Sequence, residues 1–315
     1  MSDFLVECRY RLEALLTRAF RWVVPYVPMA GVRAFGRAIG RLAYVADASR
    51  RRIALENLAY AFPGRTARER RTLARAMFAH FGGLLLELIK FGRYTREQML
   101  AATETEGEER LRQAQAQGRG ILIFTGHFGY WELLAITHAL RTEPMSVLAR
   151  PLDNPYLHAM LEEVRTSTGN TVIYRQGAVR RVLRGLAGGR VIGVLIDQHL
   201  HSPDAVYVGF FRRQAATTSA LAALALRTGA PVIPVFALPL PHGRYRFIYE
   251  HPVDPPRADT PDGVREFTQR CTDVLEMYVR RYPDLWMWMH RRWRDRDASA
   301  GTFALDETSD AEADV

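Results

Sequence analysis

The stretch Ile121-Leu122-Ile123-Phe124-Thr125-Gly126-His127-Phe128-Gly129-Tyr130-Trp131-Glu132 decides the fold. A short apolar run ends in two glycines that bracket a histidine, and a helical pattern follows over 130–141. An apolar run bounded by turn residues reads as a buried strand, and a strand feeding into a helix reads as one unit of an α/β sheet. The unit recurs: Ser146–Ala149 precedes helical 156–167, Thr171–Tyr174 precedes 177–187, and Val191–Ile196 closes the series. After a loop and the apolar Val206–Phe211, a helix over 217–228 leads into two further strands, Val232–Leu238 and Tyr245–Tyr249. A last helix spans about 263–281. This alternation predicts an α/β fold with a mixed, largely parallel sheet flanked by helices.

Upstream the texture is helical. Over 4–48, arginines at 33, 37 and 41 alternate with Val32, Phe35, Ile39 and Leu42, a three-and-four spacing that separates a charged from an apolar face. Such a helix either packs on the core or lies in a lipid headgroup layer. Pro63-Gly64 predicts a turn before a second helix, Ala67 to Phe91, and the polar stretch 104–119 reads as helical up to Gly118-Arg119-Gly120. The chain thus divides into a helical N-terminal, membrane-associating subregion (1–105), an α/β core (106–297) and an acidic, disordered tail (298–315).

Charge narrows the partners. Of 43 Lys and Arg residues all but Lys90 are arginine, a bias that GC-rich codon usage also produces. Arginine offers a fixed fork of donors suited to phosphate and carboxylate. Beyond Phe303 come five carboxylates and no base, so the net +9 of the chain is +14 over residues 1–303. A body that basic attracts anionic lipid headgroups, an acidic carrier protein or nucleic acid. Two cysteines, Cys8 and Cys271, are too few for a disulfide framework or a Cys-based zinc site. The longest uncharged N-terminal run, Trp22 to Val32, contains Pro25 and Pro28 and falls short of the about 20 apolar residues of a spanning helix. No signal peptide is expected.

The chemistry centres on His127. A five-residue separation turns about 500° on a regular helix, so His127 and Glu132 do not meet as helix neighbours. They meet if His127 sits on the strand-to-helix turn, with Gly126 and Gly129 supplying the tight backbone and Glu132 in the first helical turns. A carboxylate on one ring nitrogen fixes the tautomer and leaves the other nitrogen free to accept a proton from a hydroxyl. A capped helix beside a buried histidine has the same spacing.

The blocks around this motif carry more. Strand, glycine, His127, four residues and Glu132 resemble motif one of the glycerolipid acyltransferases. Arg150-Pro151-Leu152-Asp153-Asn154-Pro155, Asp197-Gln198, Val206-Tyr207-Val208-Gly209-Phe210-Phe211 and Gly229-Ala230-Pro231-Val232-Ile233-Pro234 are similar to one branch of that superfamily. So are Glu56-Asn57-Leu58-Ala59-Tyr60-Ala61-Phe62-Pro63 and the ending Tyr282-Pro283-Asp284-Leu285-Trp286-Met287-Trp288-Met289-His290-Arg291-Arg292-Trp293. Over about residues 10–295 the order of blocks resembles the bacterial lipid A biosynthesis acyltransferases, the late lauroyl and myristoyl transferases.

That resemblance implies an acyl donor carried by acyl carrier protein or coenzyme A, a phosphorylated glycolipid acceptor, no cofactor or metal, and peripheral attachment to the cytoplasmic face of the inner membrane. It makes His127 the base and Glu132 its partner. Arg150, Asn154, Arg165, Asp197 and Gln198 become candidate substrate contacts, the arginines for acceptor phosphate or an oxyanion. A surface or capping role fits Arg165 as well, and Asp197 could equally cap a turn after its strand. The chain departs from the family where Pro-Phe-Phe-Gly is replaced by Gly209-Phe210-Phe211-Arg212.

Other readings have less support. No Gly-x-Ser-x-Gly elbow is present for a serine hydrolase, and Lys90 lies in no phosphate loop. His199 and His201, with Asp197 and Asp204, lack the spacing of a metal site. Trp286, Trp288 and Trp293 beside Arg291, Arg292, Arg294 and Arg296 could stack nucleic acid, mark a membrane interface or pack a core; the family resemblance favours the last two, with no nucleic-acid partner. The non-enzymatic alternative is a membrane-surface protein that kept the fold and lost the chemistry. A different lysophospholipid or glycolipid is the alternative acceptor.

Overall fold

The computed structural model describes residues 2–202, 205–255 and 258–294. In chain order its elements are α1 (Ser2–Val23), α2 (Met29–Ala46), α3 (Ala48–Ala61), α4 (Ala67–Phe91), α5 (Arg96–Ala101), β1 (Thr103–Glu106), α6 (Glu108–Gln115), β2 (Ile121–Thr125), α7 (Trp131–Arg141) and β3 (Ser146–Leu148). There follow α8 (Pro155–Thr166), β4 (Thr171–Ile173), α9 (Ala178–Ala187), β5 (Val191–Leu195), β6 (Ala205–Phe210), β7 (Arg213–Thr218), α10 (Ala220–Thr228), β8 (Val232–Pro239), β9 (Tyr245–Tyr249) and α11 (Pro261–Arg281). Seven strands form one sheet in the order β1-β9-β8-β2-β5-β3-β4, and β6 and β7 form a separate antiparallel ribbon. Every pair in the large sheet is parallel except β8 with β9. The mixed, largely parallel sheet flanked by helices is as the sequence predicts.

Alternation along the strands sorts side chains onto two faces. Leu122, Phe124, Ile192 and Val194 pack with Val182 and Leu186 of α9, Leu221 of α10 and Leu275 of α11. Ile121, Ile123, Val191 and Val235 pack on the other face with Met99, Leu111, Leu133 and Ile136, joined by Leu84 and Leu88 of α4. Right-handed crossovers produce this division: β2→β3→β4 steps outward through α7 and α8, while β4→β5 and the return to β8 step back through α9 and α10.

The N-terminal helices are fastened to this sheet by close backbone approach and a buried charge. α2 crosses α4 on glycines: a Cβ on Gly40 would sit 2.0 Å from the Phe78 carbonyl oxygen, and one on Gly82 2.4 Å from that of Gly36. Glu87 of α4 is buried and accepts from Arg33 of α2 (2.9 Å), the Tyr130 hydroxyl (2.9 Å) and the Tyr245 hydroxyl (2.6 Å). Buried charge needs such partners, and here they tie α2, the start of α7 and β9 to one carboxylate. Among the described residues α4 alone has the length and hydropathy to cross a membrane, but half of its apolar window is buried in these contacts.

The structure corrects several boundaries. The helix expected over 4–48 breaks at Pro25 and Pro28 into α1 and α2, because a ring at those positions removes the amide a continuous helix needs. The stretch expected as helix from residue 104 begins with β1, Thr-Glu-Thr-Glu, parallel to β9; an edge strand this polar carries no apolar alternation to read. The sheet therefore starts inside the expected N-terminal subregion. Residues 213–218, partly expected as helix, pair with β6 as β7. Trp286, Trp288 and Trp293 are buried in the core, at no interface with lipid or nucleic acid. Arg296 and the tail over 298–315 lie outside the described residues.

Candidate active site

The glycine-bracketed turn carries His127 out of β2 at the carboxyl end of the sheet, where open α/β sheets build their sites. Its backbone is clamped on all sides. Phe128 N donates to the Gly126 oxygen (2.7 Å), Gly129 N to the Leu285 oxygen (2.9 Å), Tyr130 N to the Ala237 oxygen (3.1 Å) and Met287 N to the His127 oxygen (3.2 Å). Gly129 has φ +57°, and a Cβ there would lie 1.9 Å from the Ala237 oxygen. Glycine is required on both counts. At Gly126 a Cβ would approach the Asp197 carboxylate to 2.9 Å.

Asp197 is the partner of His127. Its Oδ1 lies 2.8 Å from His127 Nδ1, and its Oδ2 accepts the His127 backbone N–H (2.7 Å) and the Trp286 indole N–H (2.8 Å). The register explains the meeting: β2 and β5 are parallel neighbours with Thr125 opposite Leu195, so two residues further on His127 stands beside Asp197. Burial opposes ionisation of Asp197, but His127, the backbone N–H and Trp286 hold its pKa down at about 2. For His127 burial disfavours the imidazolium, yet the charge and hydrogen bond of Asp197, with help from Glu132 and against Arg165, raise its pKa above the ordinary value. With Nδ1–H donated to Asp197, Nε2 is the basic nitrogen, and only the Gln198 side-chain amide comes near it among the described contacts, at 3.5 Å.

Glu132 does not occupy the position expected of it. It sits in the first turn of α7 and its two oxygens accept a bidentate pair from Arg165 Nε (2.9 Å) and Nη2 (2.5 Å), with Trp131 Nε1 at 3.2 Å. A guanidinium fork is the stronger competitor for a carboxylate, so the expected His127–Glu132 pairing is replaced by His127–Asp197 and Glu132–Arg165. Both of the latter side chains are nearly buried, at 11% and 15% exposure. Arg165 is therefore held by Glu132 through Nε and Nη2 instead of standing free on the surface.

The remaining candidates separate. Arg150 is exposed just beyond β3 and lies 3.5 Å from Asp153. Asn154 is buried and caps α8 through the Tyr156 and Leu157 amides, while its own amide reaches back to Tyr10 O and Glu13 of α1. Every hydrogen-bonding direction of Asn154 is used structurally, which corrects its expected role as a substrate contact. Gln198 is brought to the histidine. Asp204, weighed with His199 and His201 as a metal set, lies outside the described residues; the His199 backbone N–H donates to His290 Nε2 (3.1 Å).

Sequence reasoning missed the supports supplied by the C-terminal segment. Trp286 holds Asp197, Phe128 bridges to Trp286, and the buried Arg292 donates to Gln198 O, Ala216 O and Thr217 Oγ1. Asn57 of α3 donates to Trp288 O and His290 O, so two blocks far apart in sequence are bolted together behind the site. The tryptophan-rich ending was visible in the sequence, but nothing in its spacing says which ring meets the carboxylate.

Comparison with known proteins gives the chain's family. The chain is 29% identical to a lipid A biosynthesis lauroyltransferase of Escherichia coli (strain K12), over 94% of this chain and 95% of that one. It is 24% identical to a lipid A biosynthesis palmitoleoyltransferase of the same strain, over 92% and 96%. A phosphatidylinositol mannoside acyltransferase of Mycolicibacterium smegmatis is 26% identical over 65% and 70%. The sequence model described as bacterial lipid A biosynthesis acyltransferase matches residues 2–295, and the chain belongs to that family of acyltransferases.

Proposed function

We propose that this acyltransferase moves a fatty acyl group from the thioester of an acyl carrier protein to a hydroxyl of a phosphorylated lipid A precursor, with His127 as general base. The observation that carries the mechanism is the Asp197 carboxylate on Nδ1, which leaves Nε2 as the basic nitrogen, with the Gln198 amide 3.5 Å from it. The acceptor hydroxyl gives its proton to Nε2 as its oxygen attacks the thioester carbonyl carbon. The tetrahedral intermediate collapses with cleavage of the C–S bond, and the departing thiolate takes the proton back from the imidazolium. An ester and a free thiol result, and His127 is neutral again. Asp197 is a positioning residue: it holds the tautomer and stabilises the imidazolium as it forms. Arg150, exposed at the carboxyl end of β3, suits an acceptor phosphate.

The basic body supports a strongly acidic donor and an anionic membrane. Attachment to the cytoplasmic face of the inner membrane is the reading we favour, through the apolar surface of α1 and α2. Phe4, Leu5, Leu12, Leu15, Trp22 and Tyr26 are each more than half exposed, as are Phe35, Leu42 and Val45 of α2. Exposed apolar area of this extent marks an interaction surface.

The test is an acyl-transfer assay with purified protein, dodecanoyl thioesters of carrier protein and of coenzyme A, and two acceptors, a phosphorylated lipid A precursor and a mannosylated phosphatidylinositol. Ester formation on the lipid A precursor from the carrier-bound donor is expected. Transfer only to the mannosylated lipid would move the acceptor assignment; no transfer to either would leave the inactive membrane-binding alternative.

A further inference from the structure

Between Glu163 and Asp197 the chain has six arginines and no carboxylate. Five of these residues bracket or lie on α9, and the fold gathers four of them, Arg175, Arg180, Arg181 and Arg184, on its outer surface, all exposed. Arg227, in the last turn of α10, is exposed beside Arg175 and Arg180 across a shallow concavity whose floor includes Val179, itself 63% exposed. A second concavity lies between Tyr174 and Arg184.

Some exposed helical arginines pair with an acid one turn away, as in Arg11–Glu7, Arg112–Glu108, Arg270–Glu266 and Arg280–Glu276. Arg37 and Arg41 of α2 and Arg68, Arg71 and Arg75 of α4 do not. The arginines around α9 differ from these in lining concavities. Among the described residues the five arginines around α9 form no ion pair; Arg181 alone donates locally, to the carbonyls of Tyr174 and Gln176. Like charges held together without neutralisation are a field waiting for an anionic surface, and an apolar residue amid them gives such a surface something to bury against.

Position selects the partner. The first turn of α9 follows the carboxyl end of β4, the same end of the sheet at which His127 leaves β2, and three strand spacings separate β4 from β2. At 4.7–4.9 Å each, the lateral offset between the two strands is about 14 Å. The apolar surface of α1 lies on the other side: α1 rests on α8 through Asn154, Tyr156 and the Arg21–Glu163 pair, and α8 covers the opposite face of the sheet from α9. A lipid surface engaged by α1 therefore leaves the α9 patch open to the aqueous phase.

We propose that the arginine face formed by α9 and the end of α10 is the docking surface for the acidic protein that carries the acyl thioester. This rests on the carrier-protein donor reading above. The Arg175–Arg180 end of the patch lies beyond the carboxyl end of β4, on the His127 side of the sheet, while Arg227 marks its far end before β8. The face covered by α8 and α1 is left to the acceptor.

The test is charge reversal at Arg180 and Arg184, which touch neither His127 nor its partners. Wild type and R180E/R184E are compared with dodecanoyl carrier protein and with dodecanoyl-coenzyme A in neutral detergent at low salt, and by flotation with vesicles of phosphatidylglycerol and phosphatidylcholine. The expected result is a KM for the carrier-bound donor raised about tenfold or more, with kcat, the coenzyme A kinetics and vesicle binding unchanged. Should the reversed protein fail to fold, R180S/R184S is used, with an expected rise of about threefold on the same electrostatic basis. An unchanged KM for a carrier that the wild type uses well overturns the docking surface and spares the donor reading. A wild type that rejects the carrier and accepts only coenzyme A overturns both. Loss of vesicle binding with an unchanged carrier KM overturns the proposal and assigns the patch to lipid.

Discussion

Asp197 holds His127 twice, by ring and by backbone: one carboxylate oxygen lies 2.8 Å from Nδ1 and the other accepts the backbone N–H at 2.7 Å. A single side chain therefore sets both where the imidazole stands and which of its nitrogens is basic. Trp286 fixes that side chain in turn, so the chain of support runs from the C-terminal core to the imidazole of His127.

Replacing His127 with Ala removes the proposed base. Turnover is expected to fall about 10²–10⁴-fold, the range of a lost general base. Circular dichroism and melting temperature should remain those of the wild type. Near-normal turnover of a folded H127A protein would remove His127 from the mechanism.

The pH dependence tests Asp197. The base works only when His127 is neutral, and its pKa is raised above 6.5. Activity is therefore full above the raised pKa and lost as pH falls through it, with the acid limb of kcat/KM above 6.5. Asp197→Asn removes the main charge that raises the pKa and leaves burial, which lowers it. The acid limb should move to lower pH while the rate at its plateau drops. A limb that stays in place or moves upward would mean that another group holds the ring.

The Glu132–Arg165 pair is a matter of structure before chemistry. Arg165→Ala leaves a nearly buried carboxylate without its partner, a change that costs about 3–5 kcal/mol for a buried pair, at the low end here because both groups keep some exposure. The double variant E132Q/R165M should recover part of that loss in urea denaturation, since neither charge is then stranded. If R165A alone melts like the wild type, the pair contributes little to the fold and a role at the substrate regains ground.

Truncation of residues 1–23 removes α1 with its exposed Phe4, Leu12, Leu15 and Trp22. Much of the protein should then leave the membrane pellet for the soluble fraction, as measured by sedimentation of lysates. Undiminished pelleting would place the attachment elsewhere, on α2 or on the basic surface. Glycine at the α2–α4 crossing makes a separate point. Gly82→Val would force a side chain against the Gly36 oxygen and the Gly40 backbone, and should lower the melting temperature without first changing KM for either substrate.

Salt separates the donors. Screening acts over about 8–10 Å at physiological strength, and steering is stronger for a whole acidic protein than for a small anion. Raising salt to about 0.5 M, where screening is stronger still, should raise the KM for the carrier-bound donor more than for acyl-coenzyme A, with turnover little changed. Equal salt dependence would argue against the carrier as the partner of the basic body.

Some of this was legible residue by residue. Apolar runs and helical stretches follow local periodicity, so the strands from β2 to β5, the glycines that turn Ile121–Thr125 into α7, and the placement of His127 and Asp197 at strand ends could all be read along the chain. Polar β1 could not, because an edge strand of Thr-Glu-Thr-Glu buries almost nothing that a pattern would register. Nor could the partner of the histidine. Glu132 is five residues away and Asp197 is seventy, yet β5 lies beside β2 in the sheet, and their register sets Asp197 against the ring while Arg165, thirty-three residues beyond Glu132, takes the nearer carboxylate. Periodicity is a property of neighbours in sequence. Which carboxylate reaches a given nitrogen depends on strand order, register and the competing guanidinium, and those exist only once the chain has folded.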